Sequence, residues 1–154
     1  FKGIRKYEEG LLKIRWPEID KEVLVEPVKA NQMLFDWFIE NTPVKSVQGH
    51  AVVSGKHLYT MNIPIKKPMP KEHPKWYTVR RDEAPVGTVG VFVTAGGVGS
   101  ILIKYGELTE TAAYPGILGQ VRKEDLEVLK EAGAMIWDAI YNTKKIITCQ
   151  FEEA

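Results

Sequence analysis

The residues able to do chemistry are few, and their spacing limits what that chemistry is. His50, His57 and His73 are the only histidines, and Cys149 is the only cysteine. No two histidines stand four apart on a helix and no cysteine pair exists, so neither a metal site nor an intramolecular disulfide is expected. His50 is the first candidate for a catalytic role, because an imidazole titrates near neutral pH and partial burial tunes it further. Glu107 and Glu110 are the second, bracketing Thr109 in the polar stretch Glu107-Leu108-Thr109-Glu110-Thr111. Two carboxylates at a pocket mouth serve as acid and base when burial separates their pKa values. The plainer readings are a satisfied buried histidine and a pair of solvated loop carboxylates. Lys56 and Lys104 are candidates for holding a substrate carboxylate as point charges. Tyr59, Thr109 and Tyr114 would complete such a pocket, with Gly96 and Gly97 shaping its wall. The run Ala95-Gly96-Gly97-Val98-Gly99-Ser100 is not a phosphate loop. No Lys-Ser or Lys-Thr follows it, and what comes next is strand-like, so no helix N-terminus faces a phosphate. Ser100 has no evident base partner for a nucleophilic triad.

These side chains need strands to carry them. Leu12, Ile14 and Trp16 alternate with Lys13 and Arg15, and a Pro-bearing turn at 17–20 precedes Val23 and Val25. Residues 11–26 are thus predicted to be a hairpin with one buried face. Residues 30–41 have helical spacing, with Met33, Leu34, Trp37 and Phe38 on one stripe and Asn41-Thr42-Pro43 as the stop. Val44 to Ser54 and His57 to Ile65 predict paired strands around a Ser54-Gly55-Lys56 turn, which sets His50 and Tyr59 on neighbours. Pro64, Pro68, Pro70 and Pro74 predict an extended surface flap, a candidate lid. Val86 to Thr94 and the run at 101–103 predict further strands, and 107–116 reads as a loop. Residues 124–142 give the strongest helical pattern, with Leu126, Leu129, Gly133, Ile136, Trp137 and Ile140 on one side. A last strand is predicted over 145–151, with Cys149 as a buried structural thiol. Seven or so strands with two helices imply a mainly β fold, a closed or nearly closed β-barrel with helices over its open ends, since closure removes exposed edges.

Composition narrows the partners. The 154 residues, 44% apolar and 27% charged, are those of an ordinary globular chain, and one domain over residues 1–154 is expected. Lys and Arg total 21 against 20 acids, a net charge of +1, far from the basic footprint that nucleic-acid binding needs. No apolar run approaches the ~20 residues that span a bilayer, and no signal peptide is read. A lone cysteine fits a cytoplasmic setting. The expected partner is therefore a small molecule, with no nucleic acid, no membrane and no cofactor; self-association into a homo-oligomer is compatible.

Two stretches together resemble a known family. Gly49-His50-Ala51-Val52-Val53-Ser54-Gly55-Lys56 is similar to a His-Ala-x-x-Ser-Gly-Glu pattern, with Lys56 in place of the acid. Val86 to Gly97 is similar to a Pro-Gly-Asp-x-x-x-Tyr-Pro-Gly-Gly pattern followed by an apolar strand ending Tyr-Gly, here Tyr105-Gly106. Both belong to a group of bacterial cyclophilin-like proteins that includes the cucumopine synthases, and the resemblance covers roughly residues 11–151. It implies a cyclophilin-like closed β-barrel. It also implies a cofactor-free enzyme that joins an amino acid to a 2-oxo acid by a Pictet–Spengler cyclisation; the alternative is a non-catalytic binding or oligomeric structural protein. True cyclophilins place their proline pocket on a Phe-His-Arg strand and a Phe-Met-x-Gln-Gly-Gly segment. Neither is present here, and no Arg occurs between Trp16 and Arg80, so proline isomerisation is not expected.

Overall fold

A computed structural model describes residues 10–69, 76–94, 97–109 and 115–154. The strands are β1 (Leu12–Trp16), β2 (Lys21–Pro27), β3 (Val44–His50), β4 (Gly55–Thr60), β5 (Thr88–Thr94), β6 (Gly97–Leu108), β7 (Gly116–Val121) and β8 (Thr148–Glu153). The helices are α1 (Gln32–Glu40) and α2 (Leu126–Asp138), the second prolonged by a wider turn over Ala139–Thr143. All strand pairs are antiparallel, and the order β1-β2-β7-β5-β6-β4-β3-β8 closes on itself because β8 also pairs with β1. This is the cyclophilin-like closed barrel that the alternating patterns and the two motifs imply.

Inward residues of every strand meet in one core. Leu12, Ile14 and Trp16 from β1, Leu58 from β4, Ile101 and Ile103 from β6, and Phe151 from β8 are fully buried in it. The two ends of β3 define the two mouths. Near its start, where Val44 pairs with Phe151, α1 seals the barrel through an edge-to-face contact of Phe38 with Phe151. At its other end α2 closes the opposite mouth, Trp137 lying against His50 with ring centroids 4.8 Å apart. Cys149 is buried within the wall, and burial pushes its thiol well above the usual range.

Several boundaries differ from the sequence reading, each for a local reason. The β3–β4 turn lies at Ala51–Ser54 rather than at Ser54–Lys56, because Gly55 already pairs with Leu108 of β6. Gly97 and Val98 begin β6, which starts earlier than the run at 101–103, and pair with Thr94 and Val93. Residues 116–121, of which the sequence reading placed Gly116 at the end of a loop and assigned the rest to no element, form β7, held on both sides by β2 and β5. Gly116, Gly119 and the preceding Pro115 hide its strand character; pairing from both neighbours supplies what local propensity lacks. In α1 the buried stripe uses Phe35, while Met33 is exposed. The last strand starts at Thr148, and Ile146 is 74% exposed. The proline flap is described only up to Met69, where the Trp37 indole N–H donates to the carbonyl of Lys67 at 2.9 Å; its remainder and His73 lie outside the described residues.

Candidate functional site

Alternation along β3 and β4 divides the candidate residues between two surfaces. His50, at the end of β3, faces the barrel interior opposite Leu58 and is 3% exposed. Its Nδ1 lies 2.7 Å from the carbonyl oxygen of Ala51 and its Nε2 lies 2.6 Å from the Tyr105 hydroxyl. A carbonyl only accepts, so the ring proton sits on Nδ1 and Nε2 accepts from Tyr105. Burial lowers the pKa of His50 and raises that of Tyr105, so both are neutral at physiological pH. Tyr105 reaches this position because Gly133 of α2 has no side chain. A Cβ there would stand 2.5 Å from the Tyr105 ring. The Tyr141 hydroxyl donates to the backbone carbonyl of His50 at 2.9 Å, tying the end of α2 to the same strand.

His57 and Tyr59 point the other way, onto the outer face of the barrel, across from Lys104 and Leu102 of β6. His57 is nonetheless only 3% exposed, because the segment 79–85 folds over it. Lys104 holds that segment: its ammonium donates to the carbonyls of Arg81 (3.1 Å), Asp82 (3.0 Å) and Ala84 (2.6 Å). The Arg81 guanidinium is thereby brought within 3.5 Å of His57 Nδ1. A guanidinium only donates, so His57 accepts at Nδ1 and carries its proton on Nε2. Burial first, then the positive charge of Arg81, push the His57 pKa down to about 4. Burial likewise lowers Lys104, with the Asp82 carboxylate opposing.

Two open grooves flank Tyr59 on this outer surface. One, of about 440 Å³, is lined by Val52, Val53, His57, Arg81, Phe92 and Ser100 as well as Tyr59. The other, of about 340 Å³, is lined by Gln48, His50, Met61, Tyr141, Lys144 and Lys145 among others, again with Tyr59. No acidic residue lines either groove among the described residues. Behind Arg81 a cavity of about 20 Å³, bounded by His57, Lys104 and Thr88, has room for a single water-sized group.

The residues nominated from sequence are thus only partly brought together. His50 and Glu107 share the α2 mouth, with Tyr105 between them on β6, but both His50 ring nitrogens are engaged within the protein and Glu107 is exposed. Thr109 is exposed, its hydroxyl donating to the Val53 carbonyl at 2.7 Å. The Lys56 stem lies over Gly106. Two nominations need correcting. Lys104 lies on the opposite face of β6 from Tyr105, and its ammonium is committed to three carbonyls rather than aimed into a groove. Gly97 sits at the other end of β6 from Glu107, ten residues and roughly 30 Å of strand away, where it packs against the Ile63 carbonyl; it cannot wall the same mouth. Gly96, Glu110 and Tyr114 lie outside the described residues. The sequence reading missed His57, Arg81, Tyr105 and Tyr141 as site residues. The i+2 relation of His57 to Tyr59 on one strand was the available signal for an outer-face site. Among the described residues no cluster of three or more His, Cys, Asp or Glu is placed to hold a metal, and no helix is long and apolar enough to cross a membrane.

No protein-family model matches the chain, and no curated protein is similar to it in sequence. Among solved structures it is similar to McbB in complex with tryptophan, with a TM-score of 0.75 and 29% identity over 92% of this chain and 44% of that one. The chain therefore spans less than half the length of McbB. The hypothetical protein AF2241 from Archaeoglobus fulgidus shares the fold, with a TM-score of 0.52 and 17% identity over 96% of both chains. Nearly the whole chain is thus similar in architecture to part of a protein that holds tryptophan.

Proposed function

We propose that the protein is a cofactor-free enzyme that condenses an amino acid with a 2-oxo acid, and that the chemistry takes place on the outer face of the barrel beside His57 and Arg81. The observation that carries this reading is the pairing of a neutral, buried imidazole with a guanidinium at the wall of an open groove that no acid lines among the described residues. Arg81 has the fork geometry that receives a carboxylate through two parallel N–H bonds. The resemblance to the cucumopine synthases and the similarity to a tryptophan-holding protein support the substrate class.

The reaction balances without a redox partner. The amine nitrogen attacks the keto carbon, water leaves, and an iminium forms. A ring carbon of the amino acid side chain then bonds to the iminium carbon, and the proton on that ring carbon must be removed to restore aromaticity. That proton is strongly acidic because the ring is cationic, so a base with a pKa near 4 is strong enough to take it. His57 is such a base, and it enters the reaction neutral. As Arg81 turns to a bound carboxylate, the Nδ1 lone pair of His57 becomes the acceptor.

The test is direct. The protein incubated with tryptophan or histidine and a 2-oxo acid should yield a product whose mass is the sum of the two less one water. His57→Asn should lower its rate by about 100-fold or more, as loss of a general base does. Arg81→Met should act chiefly through the KM of the oxo acid. Wild-type protein with a 2-oxo acid at 100 times its dissociation constant should be stabilised by about 2.7 kcal/mol, visible as a raised melting temperature. Absence of both product and stabilisation across a panel of amino and 2-oxo acids would end this reading.

A further inference from the structure

We propose that the two grooves flanking Tyr59 are the halves of one bipartite site, each taking one carboxylate-bearing substrate, with Tyr59 as the wall they share. The inference rests on the condensation reading above and extends it to where each substrate lies.

The backbone makes the shared wall. Tyr59 on β4 pairs with Gly49 on β3. A Cβ on Gly49 would stand 2.6 Å from the Tyr59 ring, inside any allowed carbon–carbon distance, so only glycine lets the ring lie flat across the neighbouring strand. The ring occupies the boundary between the grooves and lines both. Tyr141 flanks it on one side, close enough that the Tyr59 hydroxyl adds to the burial that raises the Tyr141 pKa.

The two halves differ in chemistry. On the His57 side stand Arg81, with its fork of donors, and Ser100, beneath exposed Val52, Val53 and Phe92. This half suits a compact oxo acid with its carboxylate on Arg81. On the other side stand Tyr141 and Met61, with Lys144 and Lys145 at the rim. An aromatic amino acid fits there, its ring against Tyr141 and Met61 and its carboxylate toward the lysines. Each half carries cationic groups, Arg81 in one and Lys144 and Lys145 in the other, and no acid lines either among the described residues, a charge pattern that suits two anions. A condensation needs its reacting atoms about 3 Å apart, so the two substrates would meet over the outer edge of the Tyr59 ring, where both grooves are open.

The experiment is a backbone amide NMR titration of the full chain with L-tryptophan and 2-oxoglutarate separately, and with 2-oxoglutarate together with indole-3-propionate, which lacks the amine and cannot condense. Tryptophan should shift the amides of Gln48, Tyr141 and Lys144. 2-Oxoglutarate should shift those of His57, Arg81 and Ser100, and it and indole-3-propionate should each bind with the other present at an affinity changed less than about threefold. Tyr59→Ala should weaken both ligands by fivefold or more. Lys144→Ala should weaken only tryptophan, and Arg81→Met only the oxo acid. Mutual displacement from one set of amides, or a response confined to one groove, or a Tyr59→Ala effect on one ligand alone, would overturn the bipartite site while leaving a single-groove enzyme standing. No response to either ligand would overturn both proposals.

Discussion

His57 shows how a residue of modest sequence signal gains its properties from what covers it. An imidazole on the outside of a barrel would ordinarily titrate near 6.5; here burial and the adjacent Arg81 charge bring it to about 4. Because the folded pKa lies below the unfolded one, the stabilisation is complete above about pH 6.5 and is lost as pH falls toward 4. The full shift corresponds to about 3 kcal/mol. Urea midpoints measured from pH 7 to pH 4 should therefore fall, and His57→Gln should flatten that slope. His50 is lowered by burial too, so part of the slope should survive in the variant. An unchanged slope would mean that the covering segment is open in solution.

At the scale of elements, α2 does more than seal a mouth. Gly133 in its middle would ordinarily be improved by alanine, since glycine costs a helix interior about 1 kcal/mol. In this helix the added Cβ would meet the Tyr105 ring at 2.5 Å. Gly133→Ala is thus expected to destabilise by about 1–3 kcal/mol, the usual cost of overpacking, with the loss measured by denaturant unfolding. It should also push the Tyr105 hydroxyl off His50. Tyr105→Phe separates the two effects: it keeps the packing and leaves His50 Nε2 buried without its donor, at a cost of about 1–3 kcal/mol. If Gly133→Ala stabilises, the helix does not sit on β6 as described. The covering segment 79–85 is the second such element: Lys104 holds it through three backbone carbonyls, and that placement brings Arg81 beside His57.

For the whole molecule, closure of the sheet is what gives the barrel a continuous core and leaves its outer face available for a site. The core runs from α1 through the strands to α2, with Leu129 and Ile136 fully buried. Leu129→Ala or Ile136→Ala should each cost about 2–5 kcal/mol in equilibrium unfolding, as large-to-small changes at closed sites do. The bound ligand should recover part of that loss, because both grooves are formed on the folded barrel. A loss well under 1 kcal/mol would mean that α2 is not packed on the core.

What the sequence determined by itself was whatever local periodicity controls. The alternation of Leu12, Ile14 and Trp16, the helical spacing around Leu129, Gly133 and Ile136, and the order of every element but β7 were legible because side-chain direction repeats every two residues in a strand and every 3.6 in a helix. The count of elements implied a closed barrel on the same grounds. The site was not legible in this way. The structure sets His50 inward with both nitrogens satisfied and sets His57 outward beside Arg81, although the two histidines stand on one hairpin. That division follows from the register of β3 on β4, with Gly49 opposite Tyr59, and a shift of one residue would reverse it. β7 escaped notice because two glycines mask its pattern and pairing on both sides restores it. Arg81 and Lys104 lie 23 residues apart, and no local pattern records that one lysine holds the carbonyls that bring the arginine to the groove. Sequence spacing measures distance along the chain; only closure of the barrel decided which side chains share a face, which are covered, and which meet.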